Sequence, residues 1–451
     1  MKCEIRTFTT MMEDLVRLRD WLKASDCQAV AMESTGVYWK PIWNVLEEEE
    51  MELLLVNAQH IKAVPGRKTD IKDAQWIAEL LQHGLLRASF VPPRPQRELR
   101  EVTRYRTKLV EERARLVNRI QKVLEDANVK LASVASDITG VSGRAILNAL
   151  LSGQDDPKDL AERARGRMRN KREELAQAVQ GTLREHHRFL LGSHLRQLDF
   201  SDQQIAELDR EIASRLRVQA EPENLDPKSE PTTDSTAPSV DLSLEKVEIS
   251  MPLSSQSSAD PSPEEVKVST PLSSPPLAKP TRSQAEVIRI LDEVTGINQR
   301  IAEIVVAELG IRLDQFPSEG HLVSWTGLCP AAKISAGKRL STKTGKGNHW
   351  LRQALIEAAH GAARSKNTFL GAYYQRLKKR LGSKKAIMAL AHRILIIIYH
   401  LLKEQQSYRE LGPGHVQEQV LESSKRWAIR RLEQLGFAVT LAPKDHEEEV
   451  A

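Results

Sequence analysis

The sequence predicts an α/β plus α protein: a small α/β domain in front, a long helical middle and a helical C-terminal domain. Three observations predict it. Short apolar runs alternate with helix-period segments up to about residue 90. An apolar repeat of seven residues then takes over. A proline- and serine-rich acidic tract finally interrupts the chain before helical patterning resumes. With 451 residues, 40% of them apolar but only 4% aromatic, the chain can build several cores, and those cores are aliphatic.

The elements follow in order. "QAVAME" (28–33) and "ELLLVN" (52–57) read as short buried strands, and "GVYWKPIWNVLEEEE" (36–50) between them as a helix with an aromatic face. Ile71, Ala74, Ile77, Ala78 and Leu81 make 70–86 helical, which completes a domain over 1–92 with a partly parallel sheet. In the region 93–218, Val102, Leu109, Leu116 and Val123 recur every seven residues, a seam of coiled-coil type. A second amphipathic stretch, about 183–218, carries Leu191, Leu195, Leu198, Ile205, Leu208, Ile212 and Leu216. The two can pair as a hairpin or between chains, and spacing does not choose. Residues 219–283 hold 11 of the 21 prolines and read as a disordered linker, because so few apolar groups do not offset the ordering entropy. Helix resumes in 284–411, where Gly296 between two short helices suggests a helix-hairpin-helix whose amides could face a phosphate. Residues 412–451 form a tail.

Composition excludes several classes. Cys3, Cys27 and Cys329 are odd in number and far apart, which argues against a disulfide framework or a zinc site and for a reducing, cytoplasmic compartment. The first ten residues contain no apolar signal core. The longest apolar run, Ala386 to Leu402, includes His392 and Arg393 and reads as a buried helix rather than a membrane span. The formal net charge of +5 conceals a segregation. Residues 330–400 carry 15 Lys or Arg against Glu357 alone, a net +14, whereas 219–280 carry 11 acids and 4 bases, a net −7. A positive field that dense calls for a polyanionic partner.

The chemistry-bearing residues lie in three stretches. Asp70 and Asp73, in "GRKTDIKDAQW", share one helix face. They read either as early acids favoured by a helix dipole or as hard oxygen ligands for Mg²⁺. Glu33 favours the second reading. It ends an apolar strand, where an unpartnered acid is costly, and a strand-end carboxylate facing two more is the arrangement of ribonuclease-H-like metal nucleases. The second stretch, "KISAGKRLSTKTGKGNHWLRQAL" (333–355), is a loop of glycine and lysine suited to close phosphate approach. Ser335 is a candidate nucleophile, with Ser341, Thr342 and Thr344 equal to it on the residues alone. Phosphate-positioning candidates there are Lys338, Arg339, Lys343, Lys346 and Arg352. The third stretch adds Lys378, Lys379 and Arg380. Cys329 reads as a core residue, His360 and His392 as packing on apolar faces, and His186–His187 as a pair without a metal-like partner.

The strings "MESTGVYWKPIWNVLE", "RKTDIKDAQWIAELLQHG" and "WTGLCPAAKISAGKRLSTKTGKGNHWLRQALIEAA" resemble transposases of the insertion sequence 110 family, over essentially everything outside 219–283. The resemblance implies a RuvC-like, ribonuclease-H-type N-terminal domain. Its acids run Asp, Glu, Asp, Asp and bind Mg²⁺, and Glu33, Asp70 and Asp73 match the second to fourth. It implies a C-terminal transposase domain whose catalytic serine matches Ser335. It further implies cutting and rejoining of double-stranded DNA, active sites shared between protomers of a dimer or tetramer, and a guide ("bridge") RNA that selects the site.

The chain departs from the family pattern twice. "MKCEIRTFTTMMEDLVRLRDWL" matches the strand and helix that follow the family's first aspartate, so the first strand and one metal ligand are expected to be missing, through a late-assigned start or a truncated copy. Asp14, Asp20 and Asp26 are poor substitutes, and the chain is expected to be poorly active. The long linker is the second departure. Two alternatives stand beside the transposase reading. A junction-resolving nuclease would need the acids but not Ser335, and a non-catalytic nucleic-acid-binding remnant would need neither.

Overall fold

The computed structural model describes residues 4–57, 70–218, 282–329, 333–335, 338–341 and 344–440. The chain divides into two compact units, Met1–Arg94 and Pro95–Ala451.

The first unit runs α1 (Met12–Ala24), β1 (Ala29–Glu33), α2 (Trp39–Leu46), β2 (Glu52–Val56) and α3 (Asp70–Gln82). The strands are parallel, in register from Ala29 opposite Glu52 to Glu33 opposite Val56. Parallel pairing needs a crossover between the strands, and α2 supplies it. Its Leu46 is fully buried, as is Val56, with Leu15 of α1 and Leu55 nearly so. Val56 also bridges to Ala88 in the antiparallel sense. The sheet expected around 28–57 is therefore present, and it is small. The strand expected before α1 is not formed: residues 4–9 belong to neither strand nor helix. That segment is spent on α1 instead. Phe8 packs against Trp21 at 5.7 Å, the Arg6 guanidinium sits 5.0 Å from the same ring, and Thr9 donates through its amide and hydroxyl to Asp14.

The second unit opens on α4 (Arg94–Asp126), a single helix of 33 residues. Four short helices follow: α5 (Leu131–Val134), α6 (Val141–Leu151), α7 (Pro157–Glu162) and α8 (Arg172–Ala178). Then comes α9 (Glu185–Val218). Ion pairs join Glu98 to Arg215 at 2.8 Å, Arg106 to Asp209 at 2.9 Å, and Arg113 to Asp202. Residue number rises along one helix as it falls along the other, so α4 and α9 form an antiparallel hairpin within one chain. The open choice between a hairpin and pairing between chains is thus resolved.

Each end of the hairpin feeds a separate core. At one end Leu116, Ile120 and Leu124 pack with Leu191, Leu195, Leu198 and the short helices. At the other, Leu99, Ile212 and Leu216 join the C-terminal helices. Those are α10 (Gln284–Asp292), α11 (Gln299–Leu309), α12 (Glu319–Thr326), α13 (His349–Arg364), α14 (Phe369–Leu381), α15 (Ser383–Glu404) and α16 (Gly414–Gln434). A short antiparallel pair, β3 (Lys333–Ser335) and β4 (Lys338–Ser341), lies between α12 and α13. The linker stretch 219–281 lies outside the described residues. Ser283, at its end, caps α10 in a reciprocal capping box with Glu286.

α15 is the one described helix long and apolar enough to cross a membrane. Ten of its residues, including Leu390, Ile394, Leu395 and Ile398, are buried against α12, α13 and α14, so it serves as the core helix the sequence suggests. Gly296 has positive φ in the turn between α10 and α11. What demands glycine there is α13, because a Cβ would come within 2.3 Å of the Ala358 carbonyl oxygen. Within 412–451, read as a tail, the chain forms α16. Its Val416 is buried, while Leu421, Trp427 and Leu432 stand exposed.

Candidate metal centre and serine hairpin

Glu33 is the last residue of β1, at the carboxyl end of the parallel pair. Ligands in open α/β sheets gather at that end. The side chain is partly buried, and its Oε1 accepts the Thr35 hydroxyl at 2.7 Å, which fixes the carboxylate's orientation. Asp70 and Asp73 stand in the first turn of α3, and α3 lies against β1. The structure brings these two elements together. The side chain of Asp70 lies outside the described residues, and that of Asp73 is partly buried. Carboxylates are the hard oxygen ligands that Mg²⁺ takes, and the elements that carry these three acids adjoin.

The three other aspartates considered at the front are committed elsewhere. Asp14 accepts from Thr9 and pairs with Arg17, and the Thr9 hydrogen bonds hold its carboxyl below the usual range. Asp20 is held by Arg19. Asp26 sits in a turn with φ of 49°.

The serine stretch, expected as a loop, forms a hairpin. Ser335 and Lys338 are register partners on either side of residues 336–337, and Ile334 pairs with Arg339. The backbone thus sets two cationic residues beside the serine at the hairpin tip. The side chains of Ser335, Lys338 and Arg339 lie outside the described residues, as does Lys343 altogether.

The hairpin leaves and re-enters the helical core through one narrow neck. The Asn348 amide donates to the Trp325 carbonyl at 3.0 Å. Gly347, with φ of 40°, lies so close to α12 that a Cβ would sit 2.4 Å from the Gly327 nitrogen. Arg352 donates through Nη1 to the Gly345 carbonyl at 2.9 Å, so this expected phosphate contact also braces the neck. Asn348 caps α13 by accepting from Leu351 N. An Asn three residues before an apolar helical repeat is a legible cap signal; its part in closing the neck is not.

Lys378, Lys379 and Arg380 occupy the last turn of α14, and Lys384 and Lys385 the first turn of α15. All five are exposed, and none has an acidic partner among the described residues. Unpaired surface cations at this density form a ready phosphate-binding face. His360, expected to pack on an apolar face, is exposed. His392 is partly buried, and burial, then the neighbouring Arg393, pulls its imidazole pKa down. Cys329 is half-buried, and burial raises its thiol.

One group was missed because its members lie 60 residues apart. Asp126 ends α4 beside His186 and His187 at the start of α9, with ligand atoms within 4.8 Å of one another, close enough to hold a metal ion. The hydrogen bonds describe a different task. His187 Nδ1 accepts from Arg184 N at 3.2 Å, so its proton sits on Nε2, 2.8 Å from Asp126. His187 thereby closes the helix start as a capping-box acid would, and ties it to the end of α4. A metal on Nε2 would expel that proton and leave the ring without one.

A strand-end glutamate with two helix aspartates in one unit, and a serine hairpin with an exposed cationic face in the other, are residue types suited to processing nucleic acid. Two family models match the chain: a DEDD-type IS110 transposase model over residues 2–129, which span Glu33, Asp70 and Asp73, and the transposase IS116/IS110/IS902 family over residues 288–375, which span Ser335. No match was found among curated proteins. Both matches support the assignment of the chain to the IS110 family of transposases.

Proposed function

We propose that this transposase cuts and rejoins double-stranded DNA at the ends of a mobile element and at its target. Glu33, Asp70 and Asp73 hold the metal, and Ser335 acts as nucleophile. The observation that carries the reading is Glu33, oriented by Thr35 at the carboxyl end of β1 with the Asp73-bearing helix packed on the same strand. Magnesium held by these carboxylates would supply Lewis-acid polarisation of a phosphate oxygen. Ser335 Oγ bonds to the scissile phosphorus, the bond from phosphorus to one strand's ribose oxygen breaks, and that oxygen departs as a hydroxyl carrying the proton. The phosphoserine ester keeps the bond energy, and the reverse attack by a new strand end joins DNA without an outside energy source. Lys338, Arg339, Lys343, Lys346 and Arg352 hold phosphates near the hairpin, and Lys378, Lys379 and Arg380 hold the flanking duplex. A structured RNA of the element directs site choice, and the working form is a homo-oligomer.

The test is strand cleavage of element-end duplex by the full chain with Mg²⁺ and the element's noncoding transcript. Ser335→Ala and Asp73→Asn are each expected to abolish both cutting and joining. Cutting that survives in Ser335→Ala would replace this reading with a plain metal nuclease.

A further inference from the structure

Glu308, near the C-terminal end of α11, is 1% exposed although it carries a carboxylate. Nothing in the proposed chemistry uses it, and a buried charge is costly unless fully partnered. Its partners come from two elements. From α4, Arg104 donates a bidentate pair, Nε to Oε1 at 2.6 Å and Nη2 to Oε2 at 2.8 Å. Arg100, 3.7 Å away, adds charge and donates to the carbonyls of Ala307 and Glu308. From the neck of the serine hairpin, Asn348 donates Nδ2 to Oε2 at 2.8 Å. One oxygen, Oε2, thus receives both the long helix and the neck.

Two further contacts bind the same parts. The Arg104 guanidinium lies 5.7 Å from the Trp350 ring and the Lys108 ammonium 5.8 Å from it, so α4 also grips the first turn of α13. Burial lowers Arg100 to about 10, with Glu308 pushing it back up, so it stays cationic at neutral pH. The network is charged, dry on the Glu308 side and directional.

We propose that Glu308 is a positioning residue: through Arg104 and Asn348 it locks the neck of the serine hairpin to α4, so that the hairpin tip keeps a fixed orientation relative to the α4–α9 hairpin. The geometry excludes a merely local role. Asn348 already has its capping acceptor satisfied through Oδ1, and its amide nitrogen is held by Trp325. The extra bond from Nδ2 reaches out of that turn to a side chain forty residues earlier. Removing the carboxylate frees Nδ2 and one face of the neck while leaving the α13 cap intact.

This inference rests on Ser335 as nucleophile for its catalytic readout, but not for its structural one. In the full chain, Glu308→Gln and, should that variant fold poorly, Arg104→Gln are compared with the parent by hydrogen exchange and by cleavage kinetics. Amides of 345–348 are expected to exchange at least tenfold faster, with those of α15 unchanged. The rate of cleavage at saturating DNA should fall at least tenfold, with the DNA concentration for half-maximal rate held within twofold. Unchanged exchange at 345–348, or equal acceleration across α15, overturns the proposal. So does a loss that appears only in DNA affinity. Ser335→Ala run alongside separates the two readings: if it still cleaves, the functional reading fails, and the exchange data still judge Glu308.

Discussion

Single residues carry more than one obligation here, and Glu410 shows how that can be read out. Its carboxylate accepts from the Phe369 and Gly412 amides, the Thr295 hydroxyl and the Tyr408 hydroxyl, at 2.7 to 3.0 Å. Burial pushes its pKa up, but these four donors outweigh burial and leave it below the ordinary 4.5. A depressed folded value means that the stabilisation is fully present above the unfolded pKa and disappears as pH falls through the folded one. Glu410→Gln should therefore lower Tm at neutral pH, and the gap to the parent should narrow as pH falls below 4.5 and through the lower folded value, as thermal melts across pH would show. His187 gives a second residue-scale prediction. If its ring closes a helix start rather than binding a metal, His187→Ala costs about 1–2 kcal/mol in denaturant melts, as lost caps do. Added Zn²⁺ would then leave the parent Tm unmoved, whereas a rise would make the Asp126–His186–His187 group a metal site.

At the scale of elements, the α4–α9 hairpin mixes ion pairs of very different worth. Arg106 is buried, with Glu303 at 2.5 Å and Asp209 at 2.9 Å, and truncating it leaves the buried Glu303 carboxylate without its cation, with the neutral Gln299 amide still donating to it at 3.0 Å. Arg106→Ala should cost about 3–5 kcal/mol. The Arg113–Asp202 pair is a third to a half exposed, and Arg113→Ala should cost less than about 1 kcal/mol. Urea melts of the two variants check the contrast. The heptad of Val102, Leu109, Leu116 and Val123 makes α4 legible, but not Arg106, since an arginine between two heptad positions reads as solvated until a partner helix buries it. The hairpin's closure within one chain was likewise invisible, because apolar spacing fixes a seam and not the identity of what covers it. β1, β2 and α3 were legible from short local patterns. The unpaired opening segment was not, because its fate depends on Trp21 and Asp14 of α1 competing with the edge of β1. The serine hairpin hid behind glycine and lysine, which read as a loop until register pairs Ser335 with Lys338. The Glu308 network joins residues about 200 and 40 positions apart, beyond any local pattern.

In the proposed reaction the metal-binding acids come from the α/β unit, and the serine and the phosphate-holding cations from the helical one. If Lys378, Lys379 and Arg380 hold phosphates, replacing all three by Gln should flatten the plot of log affinity for duplex DNA against log salt by about 2–3, since each neutralised phosphate contributes about 0.9. The plot should be little changed if the same charges merely solvate the surface. On the proposed mechanism, the acids of the first unit and the serine of the second are needed for one and the same strand exchange. The most direct measurement is the capture of a covalent protein–DNA adduct by the full chain, on end-labelled element DNA with Mg²⁺ and the noncoding transcript, quenched in denaturant and mapped by peptide mass spectrometry. The expected result is an adduct on Ser335 that vanishes in Ser335→Ala and equally in Asp73→Asn. An adduct that persists in Asp73→Asn, or that maps to another hydroxyl such as Ser341, would contradict it.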